Sequence, residues 1–167
     1  VPGKPHLAEL WLLIKDPLIQ SIEPVDPDPD VLTAGIPVAR GEDGTTWRLK
    51  LVGSHVLVVG ATGAGKGSVI WSLLIGLTDQ IRAGLVQVWA IDPKGGMELA
   101  PGRGLFVRFC HGDSDLTGGY ETGFAQLLED AVAVMRARQD RLRGVTRLHE
   151  PSVGEPLIVV LVDELAA

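Results

Sequence analysis

The chain has 167 residues, 46% apolar and 22% charged, with a formal net charge of −6. That length holds about one domain with a real core, and the composition excludes a disordered chain. The acid excess is not the footprint of a free-standing nucleic-acid binder, and the longest apolar run, Leu157 to Val162, is far short of a membrane span.

Residues 6–16 suit a short helix with Leu7, Leu10 and Ile14 on one face, ended by Pro17. No signal or transit peptide is visible ahead of it. Residues 23–30, EPVDPDPD, read as a stiff, extended, solvated connector. A calcium loop is disfavoured there, because its Gly and terminal Glu are missing. Trp47, Leu49 and Leu51 then alternate with Thr46, Arg48 and Lys50, the period of a half-buried strand. Gly41-Glu42-Asp43-Gly44 supply turn chemistry, so Ile36–Arg40 and Thr45–Leu51 are predicted to pair as a hairpin.

The apolar run Val56 to Val59 predicts a buried strand entering the Gly-rich stretch Gly60 to Ser68. A helix to Leu77 follows, apolar nearly all round through Val69, Ile70, Trp71, Leu73, Leu74, Ile75 and Leu77. Leu85–Ile91 reads as a strand running into Asp92-Pro93-Lys94-Gly95-Gly96, and Gly104–Cys110 as a shorter one. Cys110 is the only cysteine, so there is no intrachain disulfide framework, and a reducing compartment is expected. His6, His55, His111 and His149 lack ligand spacing and read as structural or exposed.

A polar loop leads into the longest helical pattern, residues 121–143, whose apolar side carries Phe124, Leu127, Leu128, Ala131, Val134, Met135 and Leu142. Arg136, Arg138, Arg141, Arg143 and Arg147 near its end complement the helix dipole, or else serve a subunit or phosphate contact. The final strand, residues 157–162, delivers Asp163-Glu164. Strands alternating with helices imply an α/β fold, a mostly parallel sheet with helices on both faces and ligands at the carboxyl ends of the strands.

Gly60-Ala61-Thr62-Gly63-Ala64-Gly65-Lys66-Gly67-Ser68 is the stretch with chemistry written into it. Its glycines let the backbone wrap an anion, the N–H groups of the loop and first helical turn point at phosphates, and Lys66 reaches the β- and γ-oxygens. One position departs from the pattern: Gly67 stands where a hydroxyl for Mg²⁺ is expected, with Ser68 one step later. One residue turns a helix by about 100°, so Ser68 is read as a first-turn partner to loop or phosphate, with a water in place of the missing hydroxyl. Gly67→Ser is expected to be tolerated. At the far strand end, Asp163 is the candidate Mg²⁺ residue and Glu164 the group that orients and deprotonates the attacking water. With Lys66, Glu164 is the expected catalytic residue, and ATP with Mg²⁺ the expected cofactors.

Three motifs in order now carry a resemblance: Ser54 to Val59 leading into GATGAGKGS, IDPKGGMEL from Ile91 to Leu99, and PLIVVLVDELA from Pro156 to Ala166. Together they resemble the FtsK/SpoIIIE-type DNA translocase domain, from about Pro37 to Ala167. The resemblance implies a P-loop NTPase of the RecA-like (ASCE) kind, preceded by the short β-hairpin. It also implies a homo-oligomeric, usually hexameric ring that pumps double-stranded DNA in chromosome partitioning, cell division or conjugative transfer. A tether to the inner face of the cytoplasmic membrane would lie outside the motor.

Residues 1–35 are expected to form an N-terminal helix and connector, and 36–167 a nucleotide-binding domain cut after its last strand. As a fragment it is expected to be monomeric and without DNA-stimulated ATPase activity. Two alternatives stay open. One is a protein-moving secretion ATPase of the same superfamily; the other is a nucleotide-binding assembly module that does not hydrolyse, for which Gly67 is the main support.

Overall fold

In the computed structural model of the protein, residues 28–112 and 120–165 are described, with isolated positions 8, 14 and 19 before them. The helix expected at 6–16, most of the connector and the loop at 113–119 lie outside the described residues.

The chain enters through a single helical turn, α1 (Val31–Ala34), whose Val31 is buried. Asp28 ahead of it pairs with Arg48 at 2.7 Å, and the Gln80 amide donates to Pro29 O at 3.3 Å. The expected hairpin forms between β1 (Ile36–Arg40) and β2 (Thr46–Leu49), antiparallel, with a register break between Pro37 and Ala39. Its turn is built by Asp43, whose carboxylate accepts from the Thr45 backbone N–H at 2.9 Å and the Thr45 hydroxyl at 2.6 Å. Gly44 takes the left-handed φ of 80° that this turn requires. The hairpin is covered only at its base, so Trp47, expected to face inward, is 55% exposed, while Ile36 is buried.

Helix α2 (Lys66–Gly76) and the short α3 (Thr78–Arg82) join at the buried Leu77. The parallel sheet has strand order β4-β3-β5, from β3 (Val86–Asp92), β4 (Phe106–His111) and β5 (Leu157–Val162). A 3-10 turn, Ala100–Leu105, leads into β4. The buried character of β3 follows from its place between two partners, with both faces covered.

Each face has its own helix. Ile70, Leu73 and Leu74 of α2 join Val86, Val88 and Ala90 in one core. Leu127 of α4 (Tyr120–Leu142) joins Trp89 and Ile91 on the other, with Phe124, Ala131 and Val134 packed beside it. Strict alternation along β3 therefore sorts its side chains between two helices.

Three expectations need correction in detail. Helix α2 is buried on one broad face rather than all round, since Ile75 is 58% exposed. Leu128 and Met135 of α4 lie outside the packed face and are exposed. Most consequential is the strand expected at Val56–Val59. No strand forms there, and all four side chains are exposed, Val59 by 83%. An apolar run encodes burial, but a strand exists only through pairing. Among the described residues no strand pairs with the outer edge of β5 or with this run. His55, at the head of the run, instead lines a groove of about 740 Å³ bounded by Val132, Met135 and Leu142 of α4 and by Ile158 and Val160 of β5.

Three of the five arginines near the end of α4 make polar contacts within the chain. Arg138 donates to Pro156 O at 2.8 Å, Arg141 pairs with Glu155 at 2.6 Å, and Arg143 with Asp140. The first two tie the helix end to the loop that feeds β5.

Candidate nucleotide site

The phosphate loop takes the conformation that its glycines permit. Gly63 and Gly65 have φ of 79° and 87°, values at which a side chain is strained, and nothing lies within 4 Å of where their Cβ atoms would stand. The loop, Gly60 to Gly65, is exposed. Gly65 is the N-cap of α2 and offers no side-chain cap, so the first-turn N–H groups are left without a partner from it. Open backbone donors at the positive end of a helix dipole suit an anion.

Lys66 opens α2, and its ammonium folds back onto the loop, donating to Gly60 O at 2.8 Å and Ala61 O at 3.1 Å. Those carbonyls hold the cation over the loop that would receive the phosphates. Gly67 and Ser68 follow within the helix, Gly67 half-buried and Ser68 exposed. Because α2 begins at Lys66, the helix does not start late.

The other half of the site is made by strand register. Asp92 stands opposite His111 of β4, and on the other side Ile91 stands opposite Val162, with the Asp163 N–H donating to Ile91 O at 3.0 Å. Asp92 and Asp163 thus emerge together at the carboxyl end of the sheet. Asp92 is fully buried, and its carboxylate organises the loop after β3. It accepts from the backbone N–H groups of Lys94 at 3.2 Å, Glu98 at 3.0 Å and Leu99 at 2.9 Å. Both oxygens are occupied within the chain, which makes Asp92 a scaffold rather than a ligand.

That loop brings two further side chains to the site. Lys94 forms an ion pair with Glu164, and this carboxylate, with Asp163 and Asp92 nearby, raises the Lys94 pKa. The Asp163 carboxyl is pushed above its ordinary range, first by burial and then by the negative neighbours Asp92, Glu98 and Glu164, with Lys94 opposing. A divalent cation would relieve that repulsion, and hard carboxylate oxygens are the donors Mg²⁺ prefers. The residues present therefore fit a Mg²⁺-nucleotide.

Sequence reasoning singled out the loop, Asp163 and Glu164, but assigned no role to Lys94 or Glu98. Glu98 meets the phosphate loop directly. A Cβ on Gly67 would lie 3.2 Å from Glu98 Cδ and closer still to its Oε1. The signal was divided between the absent side chain at 67 and a glutamate in the IDPKGGMEL motif, and only folding joins them.

A Gly-rich loop opening a helix on one face of a parallel sheet, with carboxylates at the strand ends beside it, defines a P-loop NTPase. A model of the FtsK/SpoIIIE family matches residues 22–147, three quarters of the chain, and the chain belongs to that family of ATP-binding motor domains. The matched range contains the phosphate loop and the Asp92 loop but ends before β5. No curated protein matches the chain, and no solved structure does.

Proposed function

We propose that this chain is the ATP-binding and ATP-hydrolysing part of a ring-forming, hexameric motor that drives double-stranded DNA in chromosome segregation or conjugative transfer. It works at the inner face of the cell membrane, to which regions outside these 167 residues tether it. The observation that carries the reading is the convergence of the phosphate loop with the carboxyl ends of β3 and β5, through the contact of Gly67 with Glu98 and the shared field of Glu98 and Asp163. Family membership supports the choice of a motor.

On this reading the N–H groups of the loop and of the first turn of α2 cradle the phosphates. Lys66 leaves the Gly60 and Ala61 carbonyls to meet the β- and γ-oxygens. Asp163 would hold the cation, and Mg²⁺ bound with the nucleotide would neutralise the phosphate charge. Glu164, once released from Lys94, orients the attacking water and accepts its proton. Ser68 steadies the loop from the first turn. Alignment and charge stabilisation account for most of the rate in such chemistry.

The test is ATP turnover by the full-length protein, with and without duplex DNA. Lys66→Ala abolishes hydrolysis and weakens nucleotide binding, because no other loop residue carries a cation; unchanged turnover would falsify the nucleotide reading. Glu164→Gln still binds ATP but hydrolyses it about a hundredfold or more slowly. Stimulation by duplex DNA selects the DNA motor over a protein-moving one. A second reading, a nucleotide-binding assembly module without hydrolysis, draws on Gly67 and on the pairing of Glu164 with Lys94. ATP binding without turnover in the wild-type protein selects it.

A further inference from the structure

The phosphate loop lacks its metal-side hydroxyl at Gly67, and the place that a side chain at 67 would fill is occupied by the carboxylate of Glu98. Glu98 is held at that spot by its own backbone, whose N–H donates to the buried Asp92. Around it the other carboxylates are committed: Asp92 to three backbone N–H groups, and Glu164 to Lys94. Among the described residues, the Glu98 and Asp163 carboxylates make neither a side-chain hydrogen bond nor an ion pair. Strand register brings them to one end of the sheet: the Glu98 N–H donates to Asp92, and the Asp163 N–H donates to Ile91 O beside it.

We propose that Glu98 replaces the missing loop hydroxyl as a protein oxygen donor to the cation of the Mg²⁺-nucleotide, and that position 67 is glycine to admit it. This inference rests on the nucleotide reading of the site. No group of three or more His, Cys, Asp or Glu side chains among the described residues is arranged to hold a metal by itself. That agrees with how Mg²⁺ is bound in such sites: one or two carboxylates, substrate phosphates and retained waters, rather than an all-protein cage. Asp163 and Glu98 supply the two carboxylates, and the cation arrives with the phosphates. The exchange also alters the charge of the site. A neutral hydroxyl is replaced by an anion, so the site depends more on the cation, and nucleotide without it meets an extra negative charge. The free phosphate-loop residue Ser68 is then not required as a ligand.

The experiment uses the full-length protein and Mn²⁺ as a paramagnetic probe. Mn²⁺ binding to the protein–ADP complex is followed by electron paramagnetic resonance, with ADP affinity measured separately in EDTA. The variants are Glu98→Gln, Gly67→Ser and the two combined. Glu98→Gln keeps the backbone N–H to Asp92, so melting temperature controls for folding. It is expected to weaken Mn²⁺ in the complex at least about tenfold, while metal-free ADP binds as well as before or more tightly. Gly67→Ser, expected from the sequence alone to be tolerated, crowds Glu98 out because a Cβ at 67 meets its carboxylate, and is expected to weaken Mn²⁺ to a lesser degree. In the double variant the serine hydroxyl takes the vacated place and recovers part of the loss from Glu98→Gln. Mn²⁺ affinity in Glu98→Gln equal to wild type overturns the assignment and leaves the nucleotide reading intact. A wild-type protein that binds no ADP overturns both.

Discussion

The two halves of the candidate nucleotide site are built in opposite ways. The acidic half hangs from β3 and β5, two parallel strands paired along their length, and its loop is fixed by a carboxylate with no solvent exposure. The phosphate half hangs from Val56–Val59, an exposed run with no backbone partner among the described residues, and is anchored only through α2 behind it. The sheet preassembles the carboxylates, whereas the loop is positioned from its helix side alone. Rigidity in this site is a property of the pairing around a residue rather than of its chemistry.

Removing the buried carboxylate tests the contrast most severely. Asp92→Ala leaves three backbone N–H groups of the 92–99 loop without an acceptor, each costing on the order of 1–3 kcal/mol where buried. The expected loss is about 3 kcal/mol or more in urea unfolding; a loss under about 1 kcal/mol would show that the loop does not depend on Asp92. Hydrogen exchange on this 167-residue chain sharpens the comparison from the other side. Amides of residues 56–59 should exchange with little protection, while those of β3 approach the global unfolding limit. Equal protection in the two segments would mean that the run is paired after all. The smallest effect concerns the Arg108–Asp130 pair that links β4 to α4 at 2.6 Å. The hydrogen bond from Arg108, followed by that from Gln126, lowers the Asp130 pKa below its ordinary value. A depressed acid stabilises the fold above its unfolded pKa of about 3.9, and this stability is lost as pH falls through the lower folded value. Arg108→Ala should flatten that acid limb slightly and leave the neutral-pH melting temperature almost unchanged; an unaltered acid limb would remove the pair from the account.

The parts legible in the sequence were those whose causes are local or periodic. The hairpin follows from Asp43-Gly44 and flanking alternation, β3 from an apolar run with room for two partners, and the inner face of α4 from Phe124, Leu127, Ala131 and Val134 at helical spacing. The placement of the Gly-rich loop at the head of a helix, and of Asp163 and Glu164 after the last strand, was legible because both patterns are local in the sequence. Val56–Val59 was misread because pairing is a property of two segments, and apolar character reports only one. Trp47 was misread for a related reason: alternation says that one side of a strand is apolar, not how far the covering helix reaches. Glu98 was missed because its neighbour is an absence, a glycine with no side chain to announce the contact.

Helix α2 gives the molecule a mechanical element. Its first residue is the phosphate-loop lysine, and its last, Gly76, sits so close to Ile36 that an added Cβ would collide with the isoleucine side chain. Eleven residues of helix form a strut about 16 Å long, and close-packed interiors transmit strain rather than absorb it. Helix α2 therefore ends directly against the Ile36 side chain of the hairpin, at a position where only a hydrogen fits. The phosphate loop and the hairpin are thus joined by one short helix, and Ile36 is the side chain on which that joint rests.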